Sequence, residues 1–388
     1  MTTPPTILIV DDEPMNVSLL EQELDDLGYA TASAASGPAA LAQVEAAPPD
    51  LVMLDIMMPG MDGFEVLARL KAHDHWRHIP VVIISAMTDM PSVIRGIDLG
   101  ADDYLPKPFE PALLQARLSN SLERKRLRDL EQAHLKGLER ELEIGRQIQM
   151  DFLPTAIPQP RGWQIAAYFQ AAREVAGDYY DVFPIGAKGK IGLIVGDVCD
   201  KGVGAALYMA LFRSLLRATS DQIAQSSDDD EALLRHAVIV VNNYVATVHE
   251  QTTMFTTLFY GILDPIAGSL IYVNAGQEPA LVLAGGEVKT RLKATAPALG
   301  LFPDITVGLG RFDLDPGDTL LIFSDGVPDA LNEAGDSWGV ERLETIIGQQ
   351  PSASAQGLVD GVAAGLFQHM GSSSQFDDIS LLALRRMG

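Results

Sequence analysis

The sequence predicts an α/β chain in two folded parts: a doubly wound parallel unit, then, past a helical connector, a β-rich α+β domain. Three observations predict it. Over residues 1–122 short β-branched runs alternate with amphipathic segments of helix length, the pattern of a parallel sheet with crossover helices. After Pro111 no proline occurs up to Asp151, and charges are dense. Beyond that, short apolar runs that end in aspartate or glycine dominate. A length of 388 residues is more than one ordinary domain needs, and 47% hydrophobic residues suffice to fill cores.

In the first part, Ile7–Val10, Ala30–Ala34, Leu51–Leu54, Val81–Ile84 and Asp103–Leu105 read as strands, with helical segments near 14–27, 37–46, 63–72, 90–99 and 110–122. Five of each make a flavodoxin-like unit, whose site lies beyond the C-terminal strand ends. Those ends carry Asp11, Asp12 and Glu13, then Asp55, then Ser85–Ala86, then Lys107-Pro108-Phe109. Each alone reads as a solvated loop group. Together they place mutually repelling carboxylates around a space suited to a divalent cation. With Mg²⁺ there, Asp55 can attack a phosphoryl donor while Lys107 and the Ser85 hydroxyl bind its oxygens.

Through "ILIVDDEP", "DLVMLDIMMPGMDGFEV", "VVIISA" and "GADDYLPKPF" this segment resembles the response-regulator receiver family. The resemblance implies Asp55 as phospho-acceptor, served by a sensor histidine kinase. It also implies Mg²⁺ on Asp12, Asp55 and the Met57 carbonyl with Asp11 close by, and Tyr104 as the aromatic switch residue that follows Ser85.

The connector, residues 123–150, carries Leu127, Leu130, Leu135, Leu138 and Leu142 as one apolar stripe with spacings of 3, 5, 3 and 4. The 5 interrupts a strict heptad, and Gly137 and Gly145 weaken the helix by up to ~1 kcal/mol each. A helix with so narrow a seam needs a partner, which predicts a homodimer through a parallel coiled coil within residues 111–150. Phe152-Leu153-Pro154 ends the helix, and Pro158 and Pro160 mark entry to a new domain.

In residues 151–388 two long helical patterns, near 203–220 and 229–249, stand among strands that include Gly192–Val195, Phe255–Ile262, Leu270–Asn274, Ala280–Leu283, Thr319–Phe323 and Ser380–Leu384. One Asp-Gly after a strand is usually a turn. Here "REVAGDYYDVF", "LIVGDVCDKGVGAA", "LLIFSDGVPDALN" and "FDDISLLAL" each place aspartate at a strand end, which suggests convergence on one cleft. Hard oxygen ligands without a zinc-like His/Cys spacing point to Mg²⁺ or Mn²⁺, ions that lower the pKa of a water and aim it at a phosphoryl group. A serine-hydrolase reading of "FSDG" fails, because Gly-x-Ser-x-Gly is absent.

From "EIGRQIQMDFLP" through "AGDYYD", "GDVCDKGVGAAL", "MFTTLFYGILD", "NAGQEPALV" and "FSDGVPDA" to "DDISLLAL", residues 141–388 resemble the PPM (protein phosphatase 2C) family in its bacterial stress-response and sporulation branch. The resemblance implies an αββα sandwich and a metal-dependent protein serine/threonine phosphatase with two Mn²⁺ or Mg²⁺. It makes Asp197 the bridging ligand, helped by the Val198 carbonyl, with Asp178, Asp325 and Asp377 completing the shells. Asp377 is preferred to Asp378 by aligning "DDIS" with the family pattern, and Asp181 is placed behind the ligands. Ala176, Asp200 and Gln277 depart from that pattern, where glycine, glycine and histidine are usual. The relatives' usual target is a phosphorylated anti-anti-sigma factor of the STAS fold.

Charge and composition limit the alternatives. With 28 basic against 52 acidic residues, net −24, a nucleic-acid surface is disfavoured. No apolar run approaches the roughly 18–20 residues of a membrane span, and Met1–Val10 lacks the basic start of a leader. The single cysteine, Cys199, fits a reducing cytoplasm. The competing reading is a catalytically inactive adaptor that binds a sigma-factor regulator; survival of all four ligand aspartates favours the enzyme.

Overall fold

The computed structural model describes residues 4–86, 90–350 and 353–388; the first residues of the leader reading, 1–3, lie outside them. The chain divides into two compact units between Leu138 and Glu139.

In the first unit the order is β1 (Thr6–Val10), α1 (Pro14–Asp26), β2 (Ala30–Ala34), α2 (Gly37–Ala46), β3 (Leu51–Asp55), α3 (Gly63–Ala72), β4 (Val81–Ala86), α4 (Met90–Asp98), β5 (Asp103–Lys107) and α5 (Pro111–Phe152). The strands form one parallel sheet in the order β2-β1-β3-β4-β5. Strand alternation feeds two cores. Leu8, Val10, Val52 and Leu54 pack with Ala40, Val44, Phe64 and Leu67 of α2 and α3. Ile7, Ile9, Leu51 and Met53 pack on the other face with Leu20 and Leu24 of α1 and Leu114 and Leu118 of α5. Every residue of β3 is therefore buried. The strand order reverses at β1 and β3, and a doubly wound sheet opens its crevice there.

Helix α5 continues through Gly137 and Gly145 to Phe152, longer than the 110–122 segment and connector read separately. Leu127, Leu130, Leu135 and Leu138 along it are 44–56% exposed.

The second unit adds β6 (Trp163–Gln170), β7 (Tyr179–Ile185), β8 (Lys190–Val198), α6 (Val203–Ala224), α7 (Asp230–Val248), β9 (Thr256–Asp264), β10 (Ser269–Ala275), β11 (Ala280–Ala284), β12 (Glu287–Leu292), β13 (Gly310–Asp313), β14 (Thr319–Phe323), α8 (Gly339–Gly348), α9 (Ala355–Met370) and β15 (Ile379–Arg386). Two antiparallel sheets run β13-β10-β9-β8-β7 and β12-β11-β14-β15-β6. Three cores give the layer order. Met209, Phe212, Val238 and Val241 of α6 and α7 cover Tyr179, Ile194 and Tyr260 of the first sheet. In the middle layer Leu193, Val195 and Phe259 of that sheet pack against Leu320, Ile322 and Leu382 of the second. Leu343, Leu358 and Val362 of α8 and α9 close the far side on Leu321, Phe323 and Leu381. This is the αββα sandwich, and β14, covered on both faces, is wholly buried. Helices α8 and α9 go beyond the two long helical patterns in the sequence: α8 is short, and Gly357, Gly361 and Gly365 dilute the helical signal of α9.

Candidate functional site

In the first unit, β1 and β3 end side by side, Val10 opposite Leu54, so Asp11, Asp12 and Asp55 emerge together. One carboxylate oxygen from each lies within 4.8 Å of the others. Asp11 and Asp55 are buried, and Asp12 is exposed. Lys107, at the end of β5, reaches Asp11 Oδ2 at 3.0 Å and Asp55 Oδ2 at 2.9 Å. Burial pushes the Asp55 pKa up, and Lys107 only partly opposes it. Burial lowers the Lys107 pKa, but its bonds to Asp55 and Asp11 outweigh this and leave it raised. Asn16, not singled out in the sequence, donates to both oxygens of Asp11 at 3.2 and 3.0 Å. Met57 has an exposed side chain, and its N–H points to Asp55 Oδ1 at 3.4 Å. Ser85 is buried at the end of β4. Tyr104 is half-buried beneath the Arg117 guanidinium of α5, 5.3 Å from its ring centre, and Arg117 also pairs with Asp103 at 2.8 Å. Three acidic oxygens this close repel unless a cation joins them, so these residues fit a divalent ion.

In the second unit, aspartates from both sheets meet. Tyr179 lies opposite Gly196, and the Val198 N–H donates to the Gly177 carbonyl at 3.3 Å, so Asp178 at the start of β7 faces Asp197 near the end of β8. From the second sheet come Asp325, just past β14, and Asp377 and Asp378, just before β15. Burial, then the charges of Asp325 and Asp377, push Asp197 up to about 7. Burial, then Asp197 and Asp378, hold Asp178 well above the carboxylate range. Burial and the Asp377 charge raise Asp325.

Backbone approach explains two glycines in these motifs. A Cβ on Gly177 would sit 2.8 Å from the Val198 carbonyl oxygen and 3.5 Å from Asp197 Oδ1. On Gly326 it would sit 1.9 Å from the Asp378 carbonyl oxygen. The Asp-Gly after β14 is thus a point of sheet-end contact as well as a turn.

Asp377 and Asp378 do different things. The Asp378 carboxylate is buried and already engaged: Oδ1 accepts from Ala172 N–H at 2.7 Å, and Oδ2 from Gly177 at 2.7 Å and Asp178 at 3.4 Å. Asp377 is partly exposed: its Oδ1 accepts the Asp378 N–H at 2.9 Å, and Lys201 Nζ lies 2.9 Å from its Oδ2. Asp181 leaves the group; it is buried between Arg213 at 2.9 Å and Arg217 at 3.2 Å of α6. Gln277 accepts from the Thr257 hydroxyl of the first sheet and donates to the Phe323 carbonyl of the second at 3.2 Å. It ties the sheets together beside the site. Cys199 accepts the Phe255 N–H at 3.2 Å.

The Oδ2 atom of Asp178 is buried with no hydrogen-bond partner, and an unpartnered buried carboxylate oxygen is costly. Oxygen donors, mutual repulsion and this orphaned atom together fit divalent cations. Among the described residues, Asp178, Asp197, Asp325 and Asp377 do not bring three ligand oxygens within 4.8 Å, as the first unit does.

Comparison with known proteins gives two family matches: the response regulator receiver domain over residues 7–119 and stage II sporulation protein E (SpoIIE) over residues 187–387. Protein IcfG of Synechocystis sp. is 40% identical over 264 residues, covering 63% of this chain and 41% of that protein. Response regulator PleD of Caulobacter vibrioides is 33% identical over 233 residues, 58% of this chain and 51% of that protein. The chain thus spans about half or less of these relatives. Among solved structures, the SiaA-PP2C domain of Pseudomonas aeruginosa aligns with a TM-score of 0.52 and 23% identity, over 65% of this chain and 98% of that domain, a likeness of fold.

Proposed function

Because the chain belongs to the SpoIIE family, with a receiver domain ahead of a PP2C-type phosphatase domain, we propose that phosphorylation of Asp55 controls a metal-dependent phosphoserine and phosphothreonine protein phosphatase. The observation that carries this reading is the buried, unpartnered Asp178 Oδ2 beside Asp197, Asp325 and Asp377. Residues 1–122 would be the receiver, 123–150 the connector and 151–388 the phosphatase.

In this reading Asp178, Asp197, Asp325, Asp377 and the Val198 carbonyl hold two Mn²⁺ or Mg²⁺, and Asp11, Asp12, Asp55 and the Met57 carbonyl hold Mg²⁺. Bound ions would lower the pKa of a water and offset the charge of the phosphoryl group it attacks. The protein's own groups do the positioning. Asp378 spends its carboxylate on the backbone of the Asp178 loop, which favours Asp377 as the ligand. Lys201 balances Asp377 and stands where it can also meet a phosphate oxygen. In the receiver, Lys107 already bridges Asp11 and Asp55, a position from which it can pair with a phosphoryl group carried by Asp55.

A phosphorylated STAS-fold anti-anti-sigma factor is the proposed substrate and a sensor histidine kinase the proposed phosphate source, both from the family resemblance. The exposed leucine stripe of α5 supports a homodimer through the connector. No helix among the described residues is long and apolar enough to cross a membrane; cytoplasmic action is part of the proposal.

The test is Mn²⁺- or Mg²⁺-dependent phosphate release from a phosphoserine protein substrate. Asp325→Asn is expected to lower turnover at least about a hundredfold. Beryllofluoride on the receiver is expected to change the wild-type rate but not that of Asp55→Asn. No turnover with any divalent ion in either receiver state would replace the enzyme by a phosphorylation-dependent adaptor.

A further inference from the structure

From residue 122 to residue 152 of α5, Gln149 is the one buried side chain, and it is polar. Its carboxamide grips a single residue of the neighbouring loop: Nε2 donates to the Ala176 carbonyl at 2.6 Å, and Oε1 accepts the Ala176 N–H at 2.9 Å. One turn earlier on the same helix face lies Gly145, where a Cβ would stand 3.8 Å from Val175. Loop residues 171–178 form neither helix nor strand. Buried peptide groups need partners, and both polar groups of Ala176 find theirs in this one side chain. The next residue, Gly177, is wedged against the Val198 carbonyl, and after it comes Asp178 with its unpartnered oxygen. The Asp378 carboxylate also holds this loop, through the Ala172, Gly177 and Asp178 N–H groups, so Ala176 is the point at which the connector helix joins the same short segment.

From this geometry we propose that Gln149 is the positioning residue through which the connector helix sets the metal ligand Asp178, an inference that rests on the phosphatase reading above. With the carboxamide docked, the loop presents Asp178 to Asp197. Turning α5 by one residue position, about 100°, would remove the carboxamide and bring Ile148 or Met150 to Ala176. Neither side chain can bond the freed peptide groups, so the loop and Asp178 would move. Glutamine is specific here. Glutamate cannot donate to the Ala176 carbonyl and adds charge beside Asp178, while asparagine is one carbon too short to reach.

The test uses the full chain and compares wild type with Gln149→Leu, similar in size but unable to bond, and with Met150→Ala as an exposed control on the same turn. Mn²⁺ affinity is read from the resonance signal of the free ion, which needs no turnover, and amide hydrogen exchange is followed over residues 171–179. Gln149→Leu is expected to weaken Mn²⁺ binding about tenfold and to speed exchange at Ala176, while the metal-free chain still unfolds cooperatively, a few degrees lower because two buried peptide groups lose their partners. Turnover should recover at high Mn²⁺, and the beryllofluoride response should shrink. Met150→Ala should match wild type in all of these. Should the leucine variant fail to fold, Gln149→Asn is read in the same way. Wild-type affinity, exchange and beryllofluoride response in a folded Gln149 variant would overturn the assignment. A wild-type chain that binds Mn²⁺ without turnover would instead sink the phosphatase reading and leave the Gln149–Asp178 link to be judged on affinity and exchange.

Discussion

At Asp200 the backbone has φ +73, a left-handed conformation that glycine adopts freely and that aspartate tolerates better than branched residues do. The sequence motif has aspartate here where related motifs have glycine, and the conformation explains why those two residues can exchange. Its Oδ1 also accepts the Lys201 N–H at 2.8 Å, stiffening the turn that carries Lys201 to Asp377. Asp200→Gly is expected to keep stability within about 1 kcal/mol, whereas Asp200→Val should cost about 1–3 kcal/mol in denaturant unfolding. Equal losses in both would sink the conformational explanation. Gly326→Ala must separate the Asp325 turn from the Asp378 carbonyl. It should lower metal-dependent turnover at least about tenfold while the circular dichroism of the fold persists; unchanged turnover would mean that the turn yields without moving Asp325.

Among elements, α5 shows the limit of reading a helix by propensity. Gly137 and Gly145 suggest weak points, yet the helix runs unbroken from Pro111 to Phe152. Its first turns are anchored by Leu114 and Leu118 in a core, and its last by Gln149 and Phe152. Between these anchors Leu127, Leu130, Leu135 and Leu138 face solvent in a single chain. If a second copy covers them, Leu130→Lys with Leu138→Lys should shift the full chain from dimer to monomer in sedimentation velocity at micromolar concentration. A wild-type chain that sediments as a monomer there would remove the coiled-coil proposal. Tyr104 and Arg117 bear on the same helix: the proposed switch residue already touches its second turn, so a change at β5 has a direct route into α5.

For the whole molecule, the acidic cleft sets a conflict between folding and function. Asp197 ionises near 7 in the fold, against an ordinary value of 3.8, because burial and the charges of Asp325 and Asp377 favour its neutral form. A carboxyl whose pKa is raised by folding stabilises the fold while protonated. Its contribution is complete below pH 3.8 and is lost as pH rises through about 7. In chelator, Asp197→Asn should therefore gain thermal stability over wild type as pH rises from about 5 to 7.5. Mn²⁺ should raise the unfolding temperature of wild type more than that of the variant at the upper end. A stability difference that stays flat with pH would show that the carboxylates do not strain the metal-free fold.

Strand alternation and strand-end chemistry were written plainly in the sequence, because period-2 burial and hard oxygen ligands need particular residues at particular spacings. That determined the doubly wound first unit, the β-rich second one, and the motifs that bring Asp11, Asp12 and Asp55, and Asp178, Asp197 and Asp325, to strand ends. Helix α9, diluted by glycines, and the partition of Asp377 from Asp378 were not legible in this way. Two adjacent aspartates look alike in sequence; only the fold turns one carboxylate onto the backbone of the Asp178 loop and leaves the other, partly exposed, to Lys201. Asp181 reads from the sequence as lying behind the ligands, but its partners, Arg213 and Arg217, are brought to it only by α6. Gln149 lies within a motif read from the sequence, but its role depends on a loop 27 residues away. Such pairings arise from backbone hydrogen bonding across distant segments, which residue type and spacing do not encode.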